Sequence, residues 1–167
     1  MSLRIRYANE DDTPVILEFI KELAEFENMG GQVAATQEDI RRTIFDKHQA
    51  EVLLGENNGT PVAFLLFYPV YSTFLGKANL FLEDLFVKEE YRGRGCGREM
   101  LRRLAQIAVE YGAERLDWYV LDDNAQGAAF YKHLGADALL DRRTYRLDGN
   151  KLIQLAKQEA TITICRK

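Results

Sequence analysis

A three-layer α+β or α/β domain is predicted from the order of elements along the chain. Two apolar segments flanking Asn57-Asn58-Gly59 in the first half read as an antiparallel hairpin. Strand and helix patterns then alternate from residue 77 onward, with no repeat and no long structureless linker. The length of 167 residues is that of one domain, so a single domain over residues 1–167 is expected.

Each element has a local reason. Residues 3–7 alternate as a first strand. Thr13-Pro14 places a capping residue before a proline, and Val15, Ile16, Phe19, Ile20 and Leu23 fall on one helical face. Thr36 to Asp39 reads as a capping box, opening a short helix that runs to about Asp46. Residues 50–56 and 62–68 form the hairpin, and residues 69–76 follow as an aromatic-rich loop. Residues 77–87 make a strand long enough to invite a bulge. From Gly95 to Tyr111 a helical pattern runs through Met100, Leu101, Leu104, Ile107 and Ala108, and Gly112 ends it. Residues 115–121 read as a strand, 125–133 as a helix stopped by Gly135, and 138–147 as one or two strands around a charged turn. Asp148 caps a last helix to about Gln158, and residues 161–165 alternate like a terminal strand.

Composition narrows the function classes. With 47% hydrophobic and 29% charged residues, the chain is neither disordered nor of low complexity. The longest apolar run, residues 62–71, falls short of the ~20 residues a membrane helix needs, and Pro69 interrupts it. The opening Met-Ser-Leu-Arg-Ile-Arg has no apolar signal core, so a cytoplasmic protein is expected. Cys96 and Cys165 form neither a disulfide framework nor a metal-ligand spacing, and no metal is expected. A net charge of −4 disfavours a nucleic-acid partner. That total hides unlike parts. Residues 1–60 carry 6 basic and 12 acidic side chains, a net of −6, whereas residues 88–103 carry 6 basic and 3 acidic, a net of +3. One basic segment in an acidic chain suggests a local anion site and a cationic partner elsewhere, and equally a solvated helix face.

The basic segment coincides with three alternate glycines. A strand ending Leu85-Phe86-Val87 leads through Arg92-Gly93-Arg94-Gly95-Cys96-Gly97-Arg98 into a helix. Unpaired amides at a helix start carry partial positive charge, and glycines let them approach a phosphate. A tight turn without ligand fits the same glycines. Nucleoside-triphosphate and dinucleotide loops do not: no lysine follows the glycines, and the third glycine of Gly-x-Gly-x-x-Gly falls on Arg98 or Met100.

The spacing Arg92-Gly93-Arg94-Gly95-Cys96-Gly97 resembles the acyl-CoA pyrophosphate loop of the GNAT N-acetyltransferase superfamily. Asn124 followed by Phe130-Tyr131-Lys132-His133-Leu134-Gly135-Ala136 is similar to its second signature. Residues 20–24, 82–87 and 91–93 further resemble the diamine branch, the spermidine/spermine and thialysine N-acetyltransferases. Polyamine-acetylating members carry an acidic residue in the loop before the Glu-Asp strand, and Ser72 stands at that place here, as in the thialysine type.

The resemblance implies a mixed sheet with helices on both faces, splayed near Val87 and Val120 to admit acetyl-CoA. It implies an N-acetyltransferase acting by direct attack on a small cationic amine, a homodimer, and no membrane partner. It assigns Leu85, Phe86 and Val87 to the pantetheine arm, with a bulged N–H near Leu85 polarising the thioester. Arg92, Gly93, Arg94, Gly95, Cys96, Gly97 and Arg98 fall to the pyrophosphate, and Asn124 to the CoA arm. Tyr131 becomes the acid that protonates the thiolate, a core tyrosine being the plain alternative. Glu83 becomes the carboxylate that takes the amine proton. Glu83 and Asp84 are adjacent on a strand and are expected on opposite faces. Glu25, Glu27 and Phe74 are further candidates for the acceptor side. A catalytically silent acyl-CoA sensor and a protein or peptide N-acetyltransferase remain open beside this reading.

Overall fold

Five strands lie in the order β1-β2-β3-β4-β5: β1 (Leu3–Tyr7), β2 (Glu51–Asn57), β3 (Thr60–Ser72), β4 (Lys77–Val87) and β5 (Leu116–Trp118). Neighbours pair antiparallel except β4 and β5, which run parallel because a helix connects them. The computed structural model describes residues 2–158. The chain divides into two units, residues 1–120 and 121–167.

In the first unit the sheet is covered on both faces, as expected. Val52, Leu54, Phe64 and Phe86 point to one face and pack with Ile16, Leu17 and Phe19 of α1 (Thr13–Phe26) and with Ile40 and Ile44. Ile40 ends α2 (Gln37–Ile40), whose Thr36–Asp39 capping box forms as expected; the chain then widens into a π-helical turn over Arg41–Asp46. The opposite face takes α3 (Cys96–Tyr111). There Gly55 is a packing requirement, since a Cβ would stand 2.9 Å from Met100 Sδ and 3.1 Å from Ala63 Cβ.

The differences from expectation have physical reasons. Pro69 does not start a loop, because β3 continues through it to Ser72 against β4. The β2 register ends at Phe67, so a proline beyond that point breaks no ladder on that edge. β5 stops at Trp118 rather than at residue 121. In the second unit, α4 (Ala125–His133) and α5 (Gly149–Ala156) form where expected, but residues 138–147 make no strand. Their alternation finds no ladder partner among the described residues, and their side chains stay exposed. The expected strand over residues 161–165 lies outside the described residues. No helix among the described residues is long and apolar enough to cross a membrane.

Candidate active site

The site starts from one irregularity in β4. Leu85 pairs with Leu65 and Asp84 with Leu66, but Phe67 pairs with Leu82, so Glu83 is an extra residue. The bulge therefore lies two residues before Leu85. An extra residue cancels one step of side-chain alternation. Asp84 shares the face of its partner Leu66, which packs toward α1. Tyr68 lies on that same face, and its hydroxyl donates to Glu83 Oε2 at 2.8 Å. Both carboxylates thus stand on the α1 face, not on opposite faces as strict alternation predicts.

A third carboxylate arrives from α1. That helix ends in a Schellman turn: Asn28 is left-handed (φ 58°), Met29 N donates to Ala24 O at 2.7 Å, and Asn28 N donates to Glu25 O at 3.1 Å. Glu27 is the capping residue within this turn, and its charge acts on Asp84. Glu25 goes elsewhere, and its carboxylate covers Gly30, where a Cβ would collide with it. Burial, then the charges of Glu83 and Glu27, push the Asp84 carboxyl up to about 6. Burial and the bond to Glu83 push the Tyr68 phenol up to about 12. Phe81 packs on Tyr68 (5.5 Å between centroids) and on Tyr119 (4.9 Å), so the hydroxyl that holds Glu83 sits on a braced aromatic row. Phe74, by contrast, is 98% exposed at the hairpin tip and touches none of this. Ser72 is buried and accepts from Leu75 N at 3.3 Å, adding no charge to the site.

Crowding three carboxylates has a cost in stability. An acid whose folded pKa is raised is most compatible with folding below its unfolded value, near 3.8 for Asp84, and loses that advantage as pH rises through about 6. Asp84→Asn mimics the protonated form. It should raise stability by about 1–2 kcal/mol near pH 8, after discounting the full shift for partial exposure, and the gain should vanish toward about pH 4. Urea unfolding at the two pH values measures the gap.

Beyond the bulge β4 has one open edge. Pairing with β5 ends at Leu82 and Trp118, while among the described residues Leu85, Phe86 and Val87 pair only with β3 through Leu65, Phe64 and Ala63. This leaves backbone groups from Glu83 to Val87 without a β5 partner, as a splay to admit an extended ligand requires. The glycine loop follows. Gly93 (φ 70°) and Gly95 (φ 84°) are left-handed, with open space around each, so backbone conformation selects glycine here. Glu99 N donates to Gly95 O at 3.0 Å, the first bond of the α3 ladder, so the amides of Cys96, Gly97 and Arg98 lie ahead of it. Arg94 and Arg98 are exposed beside them. These features fit an anionic pyrophosphate.

Arg92 is turned away from that loop: its Nε donates to Val87 O at 2.8 Å and its guanidinium covers the Phe26 ring at 4.5 Å. Cys96 is buried, and burial pushes its thiol up, away from the reactive thiolate. In the second unit, Asn124 caps α4 by accepting from Gly127 N at 2.8 Å. Burial pushes the Tyr131 phenol up to about 12. Among the described residues no group of three or more His, Cys, Asp or Glu is arranged to hold a metal ion.

The profile of the Acetyltransferase (GNAT) family matches residues 17–136. The chain belongs to this family. Its sequence is similar to the thialysine N-epsilon-acetyltransferase of Sus scrofa, at 36% identity over 93% of this chain and 98% of that protein. It is also similar to the L-ornithine N5-acetyltransferase NATA1 of Arabidopsis thaliana, at 27% identity over 94% of this chain and 89% of that one. Among solved structures, the integron cassette protein VCH_CASS6 of V. cholerae has the same fold, with a TM-score of 0.79 and 26% identity over 95% of this chain and 99% of that one. The chain is thus an N-acetyltransferase of the GNAT family, and acetyl-CoA is the donor that family uses.

The hydrogen bond between Tyr68 and Glu83 was not read from the sequence. Its signal was there in the hairpin: Tyr68 pairs with Phe81, which puts Glu83 on the diagonal once the strand is carried through Pro69.

Proposed function

We propose that this enzyme transfers the acetyl group of acetyl-CoA directly to a primary amine of a thialysine- or lysine-like amino acid. The observation that carries this reading is the grouping of Glu83 and Asp84 on the α1 face, where the charge of Glu27 also reaches Asp84 and the Tyr68 hydroxyl holds Glu83. A lysine-like amine, with a pKa of about 10.4, enters as a cation and relieves the repulsion among these carboxylates. Glu83, held by Tyr68, takes the ammonium proton through water. The freed nitrogen lone pair then attacks the thioester carbonyl carbon.

Negative charge gathers on the carbonyl oxygen, where a β4 backbone N–H after the bulge stabilises it. The C–S bond breaks, the sulfur leaves with its electron pair, and the new amide nitrogen gives up its remaining extra proton to solvent water. By resemblance Tyr131 attends that sulfur. A phenol at about 12 holds its proton more tightly than a thiol near 8.5, so Tyr131 donates a hydrogen bond as charge develops and the proton comes finally from water. The amides at the start of α3 with Arg94 and Arg98 hold the pyrophosphate, and Asn124 the CoA arm.

Direct transfer predicts intersecting double-reciprocal lines when acetyl-CoA and thialysine are varied together. Parallel lines would mean an acyl-enzyme and overturn this mechanism. The neutral Ser72 supports a short acceptor over a polyamine. Ser72→Asp keeps an acceptor for Leu75 N and adds one charge, so spermidine should gain about tenfold in kcat/KM relative to thialysine. The same reading takes both units as one domain and the enzyme as a cytoplasmic homodimer, which sedimentation of the full chain tests.

A further inference from the structure

Arg92 stands at the head of the glycine motif, yet its side chain is spent on the amine side. Its Nε donates to Val87 O at 2.8 Å, and its planar guanidinium lies over Phe26 (4.5 Å) and Phe86 (5.2 Å). The two rings meet edge to face at 6.4 Å, so the cation fills the corner they form. Phe26 is the last residue of α1, and the next residue is Glu27. A second tie runs parallel to this one: Lys88 Nζ bonds Glu18 at 3.0 Å and Glu22 at 3.2 Å, holding the middle of α1 to the same segment. Arg92 is half-buried, whereas Arg94 and Arg98, the other arginines of the loop, are exposed.

We propose that Arg92 is a positioning residue that couples the acetyl-CoA loop to the acceptor end of α1. Gly93 follows Arg92 directly, with a left-handed backbone and open space around it, and in the proposed coupling an anion on the amides of the loop orders that backbone. Ordering that backbone immobilises Arg92 against Phe26 and steadies the Schellman turn that contains Glu27. An amine arriving afterwards has less left to order, and so binds more tightly. Reciprocity requires that the amine tighten acetyl-CoA by the same factor. Lysine does not replace arginine here, because a compact ammonium cannot lie flat on a ring while donating sideways to a carbonyl. The coupling of loop to helix is independent of the acceptor's identity; its consequence for the amine rests on the function proposed above.

Hydrogen exchange with and without CoA tests the coupling. In the wild type, CoA should slow exchange both in residues 93–98 and in residues 24–29. In Arg92→Met the slowing at 93–98 should persist while that at 24–29 is lost, and Phe26→Leu should give the same result with every charge retained. Protection at 24–29 that survives both substitutions overturns the proposal. So does a joint loss of loop protection and CoA affinity in Arg92→Met alone, which would make Arg92 a phosphate ligand. With thialysine as the probe amine, Arg92→Met and Arg92→Lys should raise its KM at saturating acetyl-CoA about fivefold, while the Kd of CoA for the amine-free enzyme stays within about twofold. If the wild type fails to use thialysine, the proposed acceptor falls while the exchange result still decides the coupling.

Discussion

Glu83→Gln should lower kcat/KM for the amine by about 10²–10³-fold near pH 7, with little change in the affinity for acetyl-CoA. Glutamine keeps the length of the side chain and an oxygen for the Tyr68 hydroxyl, so the bulge and the aromatic row beneath it are preserved. What it removes is the carboxylate that accepts the ammonium proton in the proposed mechanism. The deficit should therefore shrink as pH rises toward the amine's own pKa of about 10.4, because solvent then supplies the free base. A measured loss that stays constant with pH would point to a binding role for Glu83, and no loss at all would remove it from the mechanism.

Tyr131→Phe should lower kcat by about 10²-fold while the Kd for acetyl-CoA stays within about twofold. The two substitutions differ in how they respond to pH. With the phenol pushed up to about 12, Tyr131 is protonated throughout the working range, so its loss should cost the same at about pH 7 and pH 9. A deficit that closes with rising pH, as for Glu83→Gln, would place Tyr131 on the amine side instead. Unchanged turnover would return it to the plain role of a packing tyrosine.

The sequence was legible where a residue's backbone or side-chain chemistry is local. Gly93 and Gly95 needed positive φ, Gly112 ended α3, and Thr36 with Asp39 closed a capping box, each for reasons contained within a few residues. It was less legible where the outcome depends on a distant partner. Pro69 looks like a strand breaker until the β2 register is seen to end at Phe67. Residues 138–147 alternate like a strand, yet alternation without a neighbouring strand makes no ladder. The need for a bulge in residues 77–87 followed from length, but its place at Glu83 depends on the pairing with Leu66 and Phe67. That one-residue displacement sets Glu83 and Asp84 on the same face. Arg92 shows the same division: its motif is a local pattern, whereas its stacking on Phe26 spans 66 positions of sequence, which no spacing announces.

The acidic site and the raised Asp84 carboxyl also belong together. Charges that repel one another in the free protein are compatible with folding only at a cost, and the cationic acceptor proposed above would offset it. The exposed basic loop that follows β4 carries the opposite charge, so the proposed amine and acetyl-CoA would be drawn to different segments, the Glu83 bulge and residues 92–98.

The proposed acetyl acceptor is a small cationic amine. Thiol release from acetyl-CoA, followed with thialysine, lysine, ornithine, spermidine and an N-terminal peptide under identical conditions, tests it most directly. Saturable release is expected, with the highest kcat/KM for thialysine or a lysine-like amino acid and a lower value for spermidine. Release that is fastest with the peptide, or no faster with any amine than with water, would contradict it.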